Sequence, residues 1–133
     1  LLKLVGLDGV ADDDTADLSG GMAQRASLAR TLANEPEVLL LDEPFSALDQ
    51  LTKMELQDEL LRIVDELGVT AVFVTHDIDE AVYLGDRVAV MGSVPAGIEH
   101  VEPIDTDTRS RDDETFLSER AAVFERLEAV GLE

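Results

Sequence analysis

Apolar and polar positions follow two rhythms along this chain, one helical and one strand-like, and together they mark out its elements. Leu1, Leu2, Leu4 and Leu7 recur at helical spacing and read as the tail of a helix ending at Gly6. Asp8 to Asp17 is a polar, acidic loop. From Met22 onward, Met22, Ala26, Ala29 and Ala33 fall three or four positions apart, with Leu28 and Leu32 beside them. A helix of about four turns is therefore expected to open at Ser19-Gly20-Gly21. Asn34-Glu35-Pro36 punctuates the chain. The continuous apolar run Val38 to Leu41 has the length of a buried strand, and Pro44, which cannot donate to a ladder, stops it. Leu51, Met54, Leu60, Leu61, Val64 and Leu67 mark one face of a helix of about 16 residues that Gly68 terminates. Val69 to Thr75 is a second β-branched, buried run. A short helix from about Asp77 to Leu84 follows, with Gly85 as its stop, and then a third strand from Arg87 to Met91. Past Gly92 the pattern weakens. Ile98 to Ile104 reads as one or two edge strands broken by Pro103, Asp105 to Glu114 as a charged linker, and Phe116, Ala121, Phe124, Leu127 and Val130 as one face of a last helix.

The order strand–helix–strand–helix–strand predicts an α/β layer with a parallel sheet. Two polar tips then stand out. Asp42-Glu43 follows the first strand and His76 follows the second, so both are expected at the carboxyl edge of the sheet, where ligands bind in such folds. One carboxylate can hold a cation while the other orients or deprotonates a nucleophile. Taken alone, the hexapeptide Leu39 to Pro44 is also compatible with a solvated acidic turn, and His76 with a capping or surface histidine. Their shared edge favours function. Ser19-Gly20-Gly21 places a capping hydroxyl and bare backbone beside free N–H groups, which suits a phosphate. An ordinary serine cap with a flexible glycine pair is the alternative. Asp12-Asp13-Asp14 lacks the glycine and glutamate spacing of a calcium loop and reads as solvated. His100 is expected in solvent, and Met22, Met54 and Met91 in the core.

Charge narrows the picture further. The 133 residues carry 30 acids against 10 bases, a formal charge of −20. That balance disfavours nucleic acid and anionic membrane as partners. With normal apolar content and only two lysines, Lys3 and Lys53, it suggests a high-salt, halophilic setting in which screening relieves self-repulsion. With no cysteine, disulfides and thiolate chemistry are excluded.

Four of these stretches, in this order, resemble the nucleotide-binding subunit of an ATP-binding-cassette (ABC) transporter. Leu18 to Arg25 is similar to the family's signature, Val38 to Pro44 to the Walker B strand with its following glutamate, Ser46-Ala47-Leu48-Asp49 to the D-loop, and His76 to the switch histidine. The resemblance covers about Leu1 to Met91. Gln50-Leu51-Thr52, Gln57 to Leu60 and Asp77 to Leu84 look like the importer ATPases of the nitrate/sulfonate/taurine/bicarbonate branch. Gly92 to Ile98 falls where that branch carries an arginine-proline-glycine-arginine turn, and both arginines are absent. The Walker A loop, the adenine-stacking aromatic and the Q-loop glutamine are absent as well. All would precede Leu1, so the sequence is expected to correspond to the C-terminal half or so of a full subunit.

The resemblance implies a P-loop NTPase-like three-layer sandwich fragment, α/β, with part of the helical subdomain. Residues 1–35 would end that subdomain, 36–92 would form the RecA-like core, and 93–133 would add edge strands and a helix. It implies ATP and Mg²⁺ as cofactors. Asp42 would hold Mg²⁺ through water, Glu43 would act as general base or water-orienting residue, and His76 would sense the γ-phosphate. Ser19, Gly20 and Gly21 would reach the ATP bound by a second ATPase subunit, and Asp49 would cross to the partner's site. Gln24 and Arg25 are expected at a helix surface or interface. The implied partners are that second subunit, a transmembrane permease and, indirectly, a solute-binding protein, on the cytoplasmic face of the cell membrane. The implied function is ATP hydrolysis coupled to uptake of a small anion or organic solute. A non-transport ABC ATPase and a catalytically dead interaction module remain as alternatives.

Overall fold

The computed structural model describes residues 1–14, 16, 19–93, 95, 97–107 and 109–131. Asp17 and Leu18 before the serine-glycine pair, and Val94 and Ala96 in the Gly92–Ile98 stretch, lie outside the described residues. The chain forms two compact units, Leu1–Val74 and Thr75–Glu133.

In the first unit the leucine-rich start is a hydrogen-bonded turn rather than the expected helix, and it closes at Gly6 as its pattern predicts. Gly6 takes a left-handed φ of 70°. The Leu7 N–H donates to Leu2 O (2.7 Å) and the Gly6 N–H to Lys3 O (3.2 Å). This pair of bonds is a Schellman motif, and it satisfies carbonyls that a helix end leaves open. A 3₁₀ turn, Asp8–Val10, follows. Helix α1 (Gly20–Leu32) starts on Ser19, whose hydroxyl oxygen accepts the Met22 N–H. Strand β1 (Val38–Asp42), helix α2 (Gln50–Leu67) and strand β2 (Thr70–Val74) complete the unit. Gly68 ends α2 in the left-handed conformation, φ 63°. The two strands run parallel, in register from Val38 against Thr70 to Asp42 against Val74.

The core of this unit gathers Leu39 of β1, Ile63 of α2, Ala29 and Leu32 of α1, and Val5 and Leu7 of the first turn. Leu39, Ile63 and Val5 are completely buried. The opposite sheet face is bare, with Val38 56%, Leu40 69%, Val72 46% and Val74 46% exposed. The apolar runs led us to expect both strands buried. Only the face under α1 and α2 is. A continuous run encodes cover on both faces of a parallel sheet, and these two helices pack on one.

In the second unit, helix α3 (Ile78–Leu84) leads to strand β3 (Arg87–Met91), strand β4 (Ile98–Pro103) and helix α4 (Glu114–Ala129). Strand β3 takes β4 as an antiparallel partner, with an irregularity at Val90/Met91. The weak pattern at Ile98–Ile104 is thus a single strand running into Pro103. Val82, Val88, Val90 and Val123 form the core. The charged linker is tied down. Arg109 donates to Tyr83 O (2.6 Å) and pairs with Asp86 (2.5 Å), and the Arg111 guanidinium lies 3.7 Å from the centre of the Tyr83 ring. Two expectations fail. His100 is half-buried, with Nε2 2.7 Å from the Glu102 carboxylate, and Met91 is exposed at the end of β3.

Candidate functional site

Asp42 is the last residue of β1 and lies exposed at its carboxyl end. Glu43 continues the ladder by one bond, its N–H donating to Val74 O at 2.8 Å. Its φ then turns to +46°. A residue other than glycine seldom holds that conformation, which costs on the order of 1–3 kcal/mol. Surrounding bonds hold the turn. The Glu43 carbonyl accepts from Ser46 Oγ (3.2 Å) and from the Ser46 N–H (3.4 Å). The Pro44 carbonyl accepts from Nε2 of Gln24, one turn into α1, at 2.5 Å. Phe45 is buried below. The strand therefore ends in a fixed turn that presents two carboxylates, half-buried Glu43 beside exposed Asp42.

The start of α1 is built against the same loop region. Ser19 Oγ accepts the Met22 N–H at 3.2 Å, which leaves the hydroxyl hydrogen able to donate elsewhere. The Gly20 and Gly21 N–H groups are the helix's first two, which no carbonyl of the helix can accept. Together they form a donor-rich end suited to phosphate oxygens. Gly20 approaches Leu48, and a Cβ on Gly21 would stand 2.8 Å from the Thr52 methyl. Thr52 is itself fixed, because Asp49 Oδ2 accepts from Thr52 Oγ1 (2.6 Å) and Oδ1 from the Thr52 N–H (3.1 Å). These bonds, the hydroxyl one foremost, hold the Asp49 carboxyl below the usual carboxylate range. Asp49 thus caps α2 and braces the residue on which Gly21 rests.

His76 belongs to the second unit, between β2 and α3. The backbone around it is pinned. Thr75 Oγ1 accepts the Asp77 N–H (3.0 Å) and donates to Glu80 Oε2 (2.7 Å). Asp77 Oδ1 accepts the Asp79 and Glu80 N–H groups at the start of α3. Glu80 is buried. This is a capping box in which the glutamate acts through a threonine hydroxyl.

Sequence reasoning singled out Ser19, Gly20, Gly21, Asp42, Glu43, Asp49 and His76. It gave no supporting role to Gln24, Ser46, Thr52, Thr75 or Glu80. The Asp77-x-x-Glu80 spacing was a readable signal for the last. Ser46, Thr52 and Thr75 bond within five residues of themselves, whereas Gln24 depends on a contact twenty residues away that no local pattern encodes. Arg25, beside Gln24, lines a cavity of about 50 Å³ under Pro44 and Phe45. Its Nε is buried with no hydrogen-bond partner among the described residues.

The donor set fits Mg²⁺ of the nucleotide-bound kind. No cluster of three or more metal-ligating side chains occurs among the described residues. Mg²⁺ at phosphate sites uses one or two carboxylates and completes its shell with water and phosphate. The cavity is far smaller than the roughly 300–1,000 Å³ of whole-ligand pockets.

The ABC transporter family model matches residues 1–46. The chain is 50% identical over 129 residues to the aliphatic sulfonates import ATP-binding protein SsuB 1 of Pseudomonas syringae, covering 96% of this chain and 54% of that protein. It is 48% identical over 127 residues to an uncharacterized ABC transporter ATP-binding protein of Methanocaldococcus jannaschii, covering 95% of this chain and 48% of the relative. Among solved structures, CbiO1 of Clostridium perfringens, part of an ABC transporter complex, overlays with TM-score 0.70 at 30% identity, covering 98% of this chain and 49% of that one. A dimeric, post-hydrolysis ATP-binding cassette bound to ADP and Pi overlays with TM-score 0.60 at 35% identity, over 78% of this chain and 44% of that one. The chain spans about half the length of the curated relatives it matches.

Proposed function

Because the chain belongs to the ABC transporter family, we propose that it forms part of an ATP-hydrolysing subunit that drives uptake of a small organic anion, an aliphatic sulfonate foremost. The supporting observation is one framework, a capped Ser19 helix start locked to a fixed Asp42-Glu43 turn, in a chain matching sulfonate import subunits along 96% of its length. No described helix is long and apolar enough to cross a membrane. The proposed setting is the inner face of the cell membrane, against a permease that a solute-binding protein supplies.

Each residue has a definite task in this reading. Glu43, in its held turn, orients or deprotonates the attacking water. Asp42 would hold Mg²⁺ through water, and the ion would offset phosphate charge. The Ser19 hydroxyl and the Gly20 and Gly21 N–H groups donate to the γ-phosphate of ATP carried by a second subunit, holding the charge spread over its oxygens in place for in-line attack. His76 donates to a γ-phosphate oxygen and reports its presence. Asp49 lies beside the partner's nucleotide.

The test uses a completed cassette, this chain joined behind the upstream half of its 50%-identical Pseudomonas relative. Glu43→Gln should keep ATP binding and lose hydrolysis by about 10²-fold or more. Wild-type turnover would remove Glu43 from its role. Restored uptake of a labelled alkanesulfonate, in cells lacking their own sulfonate import ATPase, would support the substrate class. ATPase activity without uptake would count against it.

A further inference from the structure

Gln24 lies one turn inside α1, where sequence suggested only a surface or interface residue. Its side chain instead reaches across twenty residues of sequence to the Pro44 carbonyl. The bond lands next to Glu43, whose φ of +46° is one of two positive values among non-glycine residues described. Other bonds on this turn run from Ser46 to the Glu43 carbonyl and from the Glu43 N–H to Val74 O. The Gln24 bond ties the turn to the helix that begins at Ser19.

We infer that Gln24 is a positioning residue for Glu43, holding the Glu43–Pro44 turn in its left-handed form and so fixing where the catalytic carboxylate stands. The inference rests on the reading of Glu43 as the water-activating group. A glutamate returns to negative φ when nothing opposes it, because its Cβ is crowded in the left-handed region. The Gln24 amide opposes that return by holding the next carbonyl. The effect should fall on the chemical step. A displacement of about 1 Å in a reacting group can cost up to ~10²-fold in rate without changing substrate affinity.

Gln24→Met keeps the volume and removes the donor. In the completed cassette it should lower kcat about tenfold or more while KM for ATP stays within about twofold. Gln24→Lys keeps an N–H donor on a chain of similar reach and should retain most of the activity. In the chain itself, hydrogen exchange at the Glu43 and Ser46 amides should quicken in Gln24→Met, with the melting temperature little changed. Wild-type kcat in Gln24→Met, alongside lost hydrolysis in Glu43→Gln, would overturn the inference and leave Glu43 in place. So would kcat and KM worsening together in the Met and Lys variants alike, which marks a merely structural residue. Wild-type turnover in Glu43→Gln would instead sink the reading of Glu43 and this inference with it. Should Gln24→Met not fold, Gln24→Glu, which cannot donate, stands in against the same outcomes.

Discussion

Gly21 has two independent reasons to be glycine. In the proposed function a bare backbone lets a phosphate approach, and a Cβ would stand 2.8 Å from the Thr52 methyl. The methyl cannot swing away, because Asp49 holds the hydroxyl on the same carbon at 2.6 Å. Gly21→Ala should therefore destabilise the chain by about 1–2 kcal/mol even without nucleotide, an overpacking cost. Thr52→Ser removes the methyl and keeps the hydroxyl, so alanine should be tolerated in that background. Thermal melts of the four combinations decide it, and an equal loss in both backgrounds would rule out the contact as the cause. Asp49 makes a separate prediction. Its carboxyl titrates below the ordinary value of 3.8, mainly because the Thr52 hydroxyl favours the charged form. A depressed folded value means that the stabilisation is complete above the ordinary value and lost as pH falls through the folded one. Urea midpoints of wild type and Asp49→Asn should differ at pH 6 and converge in strong acid, about pH 2. A constant gap would show that charge plays no part in the cap.

Within the sheet, two adjacent leucines of β1 face opposite fates. Leu39 is fully buried under α1 and α2, whereas Leu40 is 69% exposed. Leu39→Ala should cost about 2–5 kcal/mol, and Leu40→Ala should stay within about 0.5 kcal/mol, by urea unfolding of the chain. Similar losses at both would mean that the bare face is covered in solution. The same strand shows where sequence reading succeeds and stops. Helix α2 was legible because Leu60, Val64 and Leu67 repeat locally and Gly68 ends the repeat. The Schellman turn at Gly6 and the cap at Ser19 were legible for the same reason, since each is settled within a few residues. The run Val38 to Leu41 also announced a strand. It could not say which face this chain covers, because that depends on helices far along the sequence. Strand β3 was legible as a strand but not in its pairing, since an antiparallel partner at Ile98–Pro103 is a long-range choice. The proposed site residues at the strand tip, Asp42 and Glu43, were visible as acids where an apolar run breaks. The Gln24 bond that fixes their turn was invisible, because it forms only after α1 packs against the loop that follows β1.

For the molecule as a whole, charge is the dominant variable after packing. The formal charge of −20 comes from 30 acids and only 10 bases. Local pairing offsets a little of it, as where Arg62 holds Glu59 and Glu66 and Arg120 holds Asp79. Exposed pairs of this kind contribute roughly 0–1 kcal/mol each. The remaining acids repel one another in the folded state more than in the expanded unfolded chain, so low salt should weaken folding. Screening shortens the reach of that repulsion from about 10 Å at 0.1 M salt to about 3 Å at 1 M. The melting temperature should accordingly rise by about 5 °C or more between 0.05 and 2 M KCl. Replacing exposed Asp12, Asp13 and Asp14 together by lysine removes two units of negative charge at each position. If repulsion is the cause, that variant should melt higher at low salt and respond less to KCl. If salt acts instead by strengthening apolar burial, the two proteins should rise in parallel. A melting temperature independent of KCl would remove the basis for placing this chain in a high-salt interior.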